Sequence, residues 1–317
     1  MVFELKQEIT YAYLETTNYC NLDCSFCNRK DVIDKLQHMP ILKWKKLLNG
    51  IKHHPIKEVK LMGMGEPFFH PQFDETCKIF KEIFPECFLI VATNCQYDIS
   101  PNKRMREVFQ NALKYIDMLY FSIDGFEDNY ERDRPPAKWS KLLDFLTDFK
   151  TINRYDCNVV VNYVVNAYNI DDIEKIDNLR KENNLGKLRL NIAQIWDEEI
   201  KMEDDIRTSG YTTKQLNYLK NNWGNNIMGK SKWDFSDCFW VKNGLYATVE
   251  GHVKMCCMNT GATSFGNLFE NTIDEIRLTD EYQKVKGGCL TNNPTNHCKK
   301  CSYNELKPIL NRLGVNN

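Results

Sequence analysis

No run of 18 apolar residues occurs in this 317-residue chain, and no charged-then-apolar leader opens it. A membrane-spanning helix and a secretory signal are therefore not expected. Charge of one sign is missing too. The 42 Lys and Arg against 43 Asp and Glu leave a net charge of −1, which removes the electrostatic case for nucleic acid or a membrane surface as partner. Internal repeats and low-complexity segments are absent. What remains is 42% apolar, enough for a core, in a length that suits one large α/β domain and a smaller one.

Cysteine, by contrast, is plentiful. Thirteen is an odd count in a chain longer than most disulfide scaffolds, and the residues cluster at ligand spacings. Thiols so grouped in a leaderless chain point to the reducing cytoplasm and to metal. Cys20, Cys24 and Cys27 form C-x3-C-x2-C, and the nearest downstream histidine, His38, is too distant for a zinc knuckle. Cubane iron–sulfur clusters normally take four thiolates. Three leave one iron open, and an open position is where a metal site does chemistry.

The order of elements is legible. Strands are expected at Ile9–Thr16, Glu58–Met62, Cys87–Thr93, Met118–Ile123, Asn158–Val165 and Leu188–Ile195. Helices are expected at Ile41–His53, Phe73–Phe84, Lys103–Tyr115, Trp139–Ile152 and Ile170–Asn183. Strands alternating with helices of this length make a parallel sheet with functional residues at the strands' C-terminal ends. The rhythm stops near Asp197. Tyr211–Asn221 is a further helix, Asn221–Gly229 reads as a linker, and a short helix covers Lys307–Leu313. The expected division is a core at 1–200, a linker or insertion at 201–235 and a cysteine-rich domain at 236–317.

The three cysteines, with Phe26 just before the last, resemble the signature of the radical S-adenosylmethionine (SAM) superfamily. Gly63-Met64-Gly65-Glu66-Pro67 resembles that family's Gly-Gly-Glu motif, with Met in place of one Gly; its backbone and carboxylate would hold the methionine ammonium, glycines allowing close approach. Thr93-Asn94-Cys95 stands where many relatives have Thr-Asn-Gly, and Asn94 would reach a ribose or substrate. Cys95 departs from the pattern, as a buried filler or a thiol near the pocket. Ser122-Ile123-Asp124-Gly125 resembles a strand end whose polar side chains, Ser122 and Asp124, face SAM. Tyr130 and Arg134 fall where relatives place His or Tyr and then Arg, so Arg134 would pair the SAM carboxylate. Phe26 resembles the aromatic near adenine. Asn162, Asn166, Asn191 and Gln194 are candidates for the substrate side. The resemblance implies a partial (β/α)6 TIM-like barrel, a [4Fe–4S] cluster on Cys20, Cys24 and Cys27, SAM, and an electron donor such as flavodoxin or ferredoxin.

Downstream, Cys238 is followed by 12 residues, Gly251, four residues and Cys256, then by Gly266-Asn267-Leu268, the amphipathic segment Thr272–Val285 and Cys298-Lys299-Lys300-Cys301. This resembles the auxiliary-cluster domain called SPASM, in its shortened "twitch" form, since no cysteine follows Cys301. Cys238, Cys256, Cys298 and Cys301 would hold a second [4Fe–4S] cluster. Cys257 and Cys289 are rivals, and a structural zinc ribbon is the alternative for the region.

The implied chemistry is reductive cleavage of SAM to a 5′-deoxyadenosyl radical that abstracts hydrogen from a substrate. Twitch-type relatives include aminocyclitol dehydrogenases, so the leading expectation is oxidation of a small sugar- or aminocyclitol-like molecule, the auxiliary cluster accepting the electron. The alternatives are an epimerase with Cys257 or Cys95 as hydrogen donor and a maturase acting on a peptide substrate.

Overall fold

The computed structural model describes residues 8–153, 157–194, 206–229, 234–257, 264–299 and 301–314. Six strands run parallel in the spatial order 6-5-4-3-2-1: β1 (Tyr11–Leu14), β2 (Glu58–Leu61), β3 (Phe88–Thr93), β4 (Met118–Ser122), β5 (Asn158–Val165) and β6 (Leu188–Ile192). Helices at Ile41–Ile51, Phe73–Ile83, Lys103–Ala112, Trp139–Ile152 and Ile173–Glu182 separate them. Each strand lies beside its sequence neighbour, so the sheet winds in one sense, the partial barrel expected.

Alternation sets the two faces. Along β5, Val159, Val161, Tyr163 and Val165 are buried while Val160, Asn162 and Val164 are partly open, as a strand with two environments requires. Between sheet and helices sits an aromatic wedge of Phe68, Phe109, Phe121, Phe145 and Phe149, with ring centroids 4.4 to 5.9 Å apart at the closest pairs. Trp44, buried with them, donates its indole N–H to the Thr76 carbonyl at 3.0 Å and ties one helix to the next.

Three further strands extend this sheet. β7 (Ile227–Met228) adds to β6, inside the Asn/Gly-rich stretch read as a linker. β8 (Gly244–Ala247) pairs in parallel with β1, Tyr11 opposite Gly244 through Leu14 opposite Ala247, and β9 (Val253–Lys254) folds back antiparallel on β8. The second cysteine region is thus hydrogen-bonded into the barrel's first strand. Its amphipathic segment is two helices, not one. Thr272 and Glu275 form a capping box on Ile273–Arg277, and the Thr279 side chain caps Asp280–Leu290 by accepting from the Tyr282 amide, so a second start interrupts the run. The last helix begins at Ser302. The expected end of the sixth strand, Ile195, lies outside the described residues. Among those described, no helix is long and apolar enough to cross a membrane.

Candidate active site

The C-terminal ends of the strands enclose a cavity of about 330 Å³. Cys20, Cys24 and Cys27 line one side, on the loop that follows β1. Cys20 and Cys24 are half-buried and Cys27 is exposed. Among the described residues, no three His, Cys, Asp or Glu side chains converge tightly enough to hold a single metal ion. Burial pushes the Cys24 thiol up to about 12 and raises Cys20; a bound cation would reverse that, because thiols ligate as thiolates.

Two nitrogen donors reach these sulfurs. Asn94 Nδ2 stands 3.7 Å from Cys20 Sγ, and Arg134 Nη1 stands 3.8 Å from Cys24 Sγ. Both side chains line the cavity. Arg134 is only 6% exposed, with its guanidinium 5.4 Å above the Phe26 ring. Its Nε–H donates to Asp124 Oδ2 at 2.6 Å, and its Nη2 pairs with the same carboxylate. The other oxygen of Asp124 accepts the Val164 amide at 2.6 Å. Asp124 is therefore fully engaged, with no exposed surface, and it is not among the cavity-lining residues. It pairs with Arg134 and does not line the cavity, a correction to the strand-end expectation that it faces SAM.

The Gly63–Glu66 segment lines the cavity, and its glycines also allow a close approach within the chain. A Cβ on Gly63 would lie 2.2 Å from Glu15 Oε1, and one on Gly65 would lie 2.3 Å from the Thr17 carbonyl. The loop packs on the end of β1, and there only glycine fits. Glu66 accepts the Asn94 amide at 2.7 Å and the Phe68 amide at 3.4 Å. Burial pushes its carboxyl up to about 7 against the pull of those bonds.

Ser122, Asn162, Asn191 and Gln194 line the opposite wall, where Asn191 Nδ2 donates to Asn162 Oδ1 at 2.8 Å. Asn166 does not join them; it is buried and donates to Asp133 at 2.7 Å. Tyr130 is also internal, its hydroxyl 3.1 Å from Gln96 Nε2 and 3.4 Å from the Asn94 carbonyl. Cys95 is a buried filler at φ +59°, away from the cavity. A left-handed backbone of this kind favours glycine.

Cys257 lines this cavity with the first three cysteines, and burial pushes its thiol up to about 12. The adjacent Cys256 acts electrostatically on Cys298 together with Cys289 and Cys238, Cys301 and Cys289 act on Cys238, and Cys238 acts on Cys257 as well. Cys289 hydrogen-bonds Cys298, so Cys238, Cys256, Cys289, Cys298 and Cys301 share that neighbourhood with Cys257 beside it, and both rivals stay near the four ligands expected. Sequence reasoning missed Tyr13 and Tyr246, which also line the cavity. Tyr13 was findable from the alternation of β1; Tyr246 sits on β8, whose four residues are all buried and show no alternation.

Comparison with known proteins supplies the frame. The radical SAM superfamily model matches residues 14–180. The chain belongs to the radical SAM superfamily. A second model, SPASM, an iron–sulfur cluster-binding domain, matches residues 238–302. One radical SAM relative is GTP 3′,8-cyclase of Clostridium perfringens (strain 13 / Type A), 25% identical over 298 residues, covering 88% of this chain and 90% of that one. Among solved structures, Streptococcus suis SuiB bound to its precursor peptide SuiA matches with a TM-score of 0.66 at 16% identity, covering 94% of this chain and 71% of that chain. BtrN in complex with AdoMet and 2-DOIA matches with a TM-score of 0.51 at 15% identity, over 93% of this chain and 92% of that chain. These structural likenesses concern the fold.

Membership in the superfamily and the SPASM match imply SAM, a SAM-binding [4Fe–4S] cluster and an auxiliary cluster. The chain's residues fit the first: three thiols share one cavity and two of them meet N–H donors, the arrangement that tunes iron–sulfur thiolates.

Proposed function

We propose that this radical SAM enzyme takes a hydrogen atom from a small, hydroxylated substrate in the cavity and that Cys257 returns one, which makes the reaction an epimerisation. The observation that carries this reading is that Cys257 lines the same cavity as Cys20, Cys24 and Cys27. In this reading Cys20, Cys24 and Cys27 hold the cluster, and Gly63, Gly65, Glu66, Asn94, Ser122 and Arg134 hold SAM, with Phe26 beside them. When bound, the cluster and SAM supply one electron and a carbon radical able to break a C–H bond.

The chain's residues do the rest. Arg134, kept charged by Asp124, offers a cation for a carboxylate. Asn162, Asn191 and Gln194 offer neutral amide donors and acceptors, suited to hydroxyl groups. The Cys257 S–H bond breaks, its hydrogen forms a new C–H bond on the substrate's other face, and the sulfur radical is restored by one electron from a low-potential flavin or iron–sulfur donor and one solvent proton. A second reading, dehydrogenation with the electron leaving through an auxiliary cluster on Cys238, Cys256, Cys298 and Cys301, is favoured by Cys256 being the immediate neighbour of a cavity thiol.

Incubation with SAM, reductant and candidate aminosugars or cyclitols in deuterated water separates the two. Epimerisation gives a product one mass unit heavier, with solvent deuterium at the inverted carbon. Replacement of Cys257 by Ala should leave SAM cleavage intact and stop product formation. A product two mass units lighter, formed equally by Cys257→Ala, would establish dehydrogenation instead.

A further inference from the structure

Beneath the radical cavity the barrel carries a layer of charge that the reaction above does not use. Met62, Ser122 and Asn191 line the cavity. Two residues earlier in the chain, and so on the same inward faces, stand Lys60, Tyr120 and Arg189. Lys60 is 5% exposed and does not itself line the cavity. Its Nζ stands 5.2, 5.4 and 5.3 Å from the ring centroids of Tyr11, Tyr13 and Tyr120, and Glu58 Oε1 pairs with it at 3.5 Å. Arg189 holds its guanidinium 5.4 Å from the same Tyr120 ring and donates from Nη1 to the Tyr120 hydroxyl at 3.1 Å. Burial, and then the charge of Arg189, pull the Lys60 ammonium down to about 8. A lysine held in this way releases a proton near neutral pH, which an exposed one does not.

This layer reaches the hydrogen donor. Tyr13, one of the rings around Lys60, lines the cavity with Cys257, and Lys60 and Cys257 act on each other electrostatically. Other acids stand near that thiol. Burial pushes Tyr11, Tyr13 and Tyr246 above the usual phenol range, so they keep their protons. Glu15 also acts on Cys257. It is 1% exposed and accepts the Tyr246 hydroxyl and the Met64 and Val249 amides, which gives it no route to solvent. The Glu58 side chain, by contrast, is 37% exposed, a port through which Lys60 can be recharged.

We propose that Lys60 supplies the proton that re-forms the Cys257 S–H bond after each hydrogen delivery, and that Glu58 recharges Lys60 from solvent. The inference rests on reading Cys257 as the hydrogen donor. The sulfur radical takes one electron from the low-potential donor. An N–H bond of the ammonium breaks as the S–H bond forms, and the neutral amine then takes a solvent proton past Glu58. Two measurements on reconstituted protein test this. A lysine whose folded value lies near 8, below its ordinary 10.5, costs stability below pH 8, and the cost is relieved as pH rises to 10.5. The urea midpoint of the parent should therefore gain on that of Lys60→Met across that window; a constant gap would overturn the assignment. With the aminosugar or cyclitol that takes up solvent deuterium, Lys60→Met and Lys60→Arg should each make one product per protein molecule, from the S–H already present. Further turnover should then be about a hundredfold slower than the parent's, since arginine keeps the cation and releases no proton. Parent turnover should fall above pH 8 as Lys60 loses its proton, and neither variant should show that limb. Sustained turnover by Lys60→Arg at the parent's rate, or a stall in Glu15→Gln alone, would overturn the assignment while the epimerase reading stood. Product from Cys257→Ala would remove that reading and this inference with it.

Discussion

Replacing Asp124 with Asn strips the partner from a buried cation while changing almost no volume. Arg134 and Asp124 side chains are 8% and 0% exposed, so water cannot take the carboxylate's place. An asparagine keeps one acceptor, and the Val164 amide already uses one oxygen of the pair. Its amide NH2 would face the guanidinium donor to donor. Breaking a buried pair from one side costs about 3 to 5 kcal/mol, and two bonds from the guanidinium are lost here, so about 4 kcal/mol is expected. In a chain of this size that lowers the melting temperature by roughly 10 °C. Anaerobic thermal and urea unfolding would measure it. SAM affinity should fall at least tenfold as Arg134 leaves its place over Phe26. Exchanging both partners, Asp124→Leu with Arg134→Met, should recover most of the stability and none of the SAM binding, since an apolar pair replaces a buried ion pair at little cost. A loss under 1 kcal/mol for Asp124→Asn would refute the claim that this carboxylate holds Arg134.

Replacing Cys20, Cys24 or Cys27 by Ala should abolish SAM cleavage and lower the iron and sulfide content, while auxiliary iron persists in the Mössbauer spectrum. Glu15 is fully enclosed, and burial pushes its carboxyl up to about 7 from 4.5. A raised folded-state value means stability that is whole below pH 4.5 and is lost as pH rises through 7, by about 3 kcal/mol; Glu15→Gln should flatten urea-unfolding free energy over that window. Cys95→Gly should be more stable than Cys95→Ala by about 1 kcal/mol in urea unfolding. Both lose the thiol, and only glycine relieves the backbone at φ +59°.

The barrel was readable because its signals are local. β5 and the Trp139–Ile152 helix match expectation at both ends, since alternation and helical spacing need only neighbouring residues. The short strands β7, β8 and β9 were not readable. β7 and β9 have two residues each, the four of β8 are all buried and show no alternation, and pairing with β6 and β1 decides them. The same division runs through the site. C-x3-C-x2-C is a contiguous motif, so its three thiols were found. The service of Asp124 to Arg134, ten residues on, and of Gly63 to Glu15, far back in the chain, depends on which strands end side by side.

The seating of β8 against β1 bears on how such proteins can diversify. Tyr246 and the Val249 amide grip a carboxylate on the loop that leads to the cysteines, so the distal third is stitched to the start of the catalytic half. Grafting a foreign auxiliary module after residue 237 would strip the leading strand of its neighbour and leave Glu15 with two broken bonds. Exchange between family members should therefore succeed only for cassettes that carry their own match to this strand and its glutamate, and lineages are expected to vary the surface turns beyond β9 more freely than this seam.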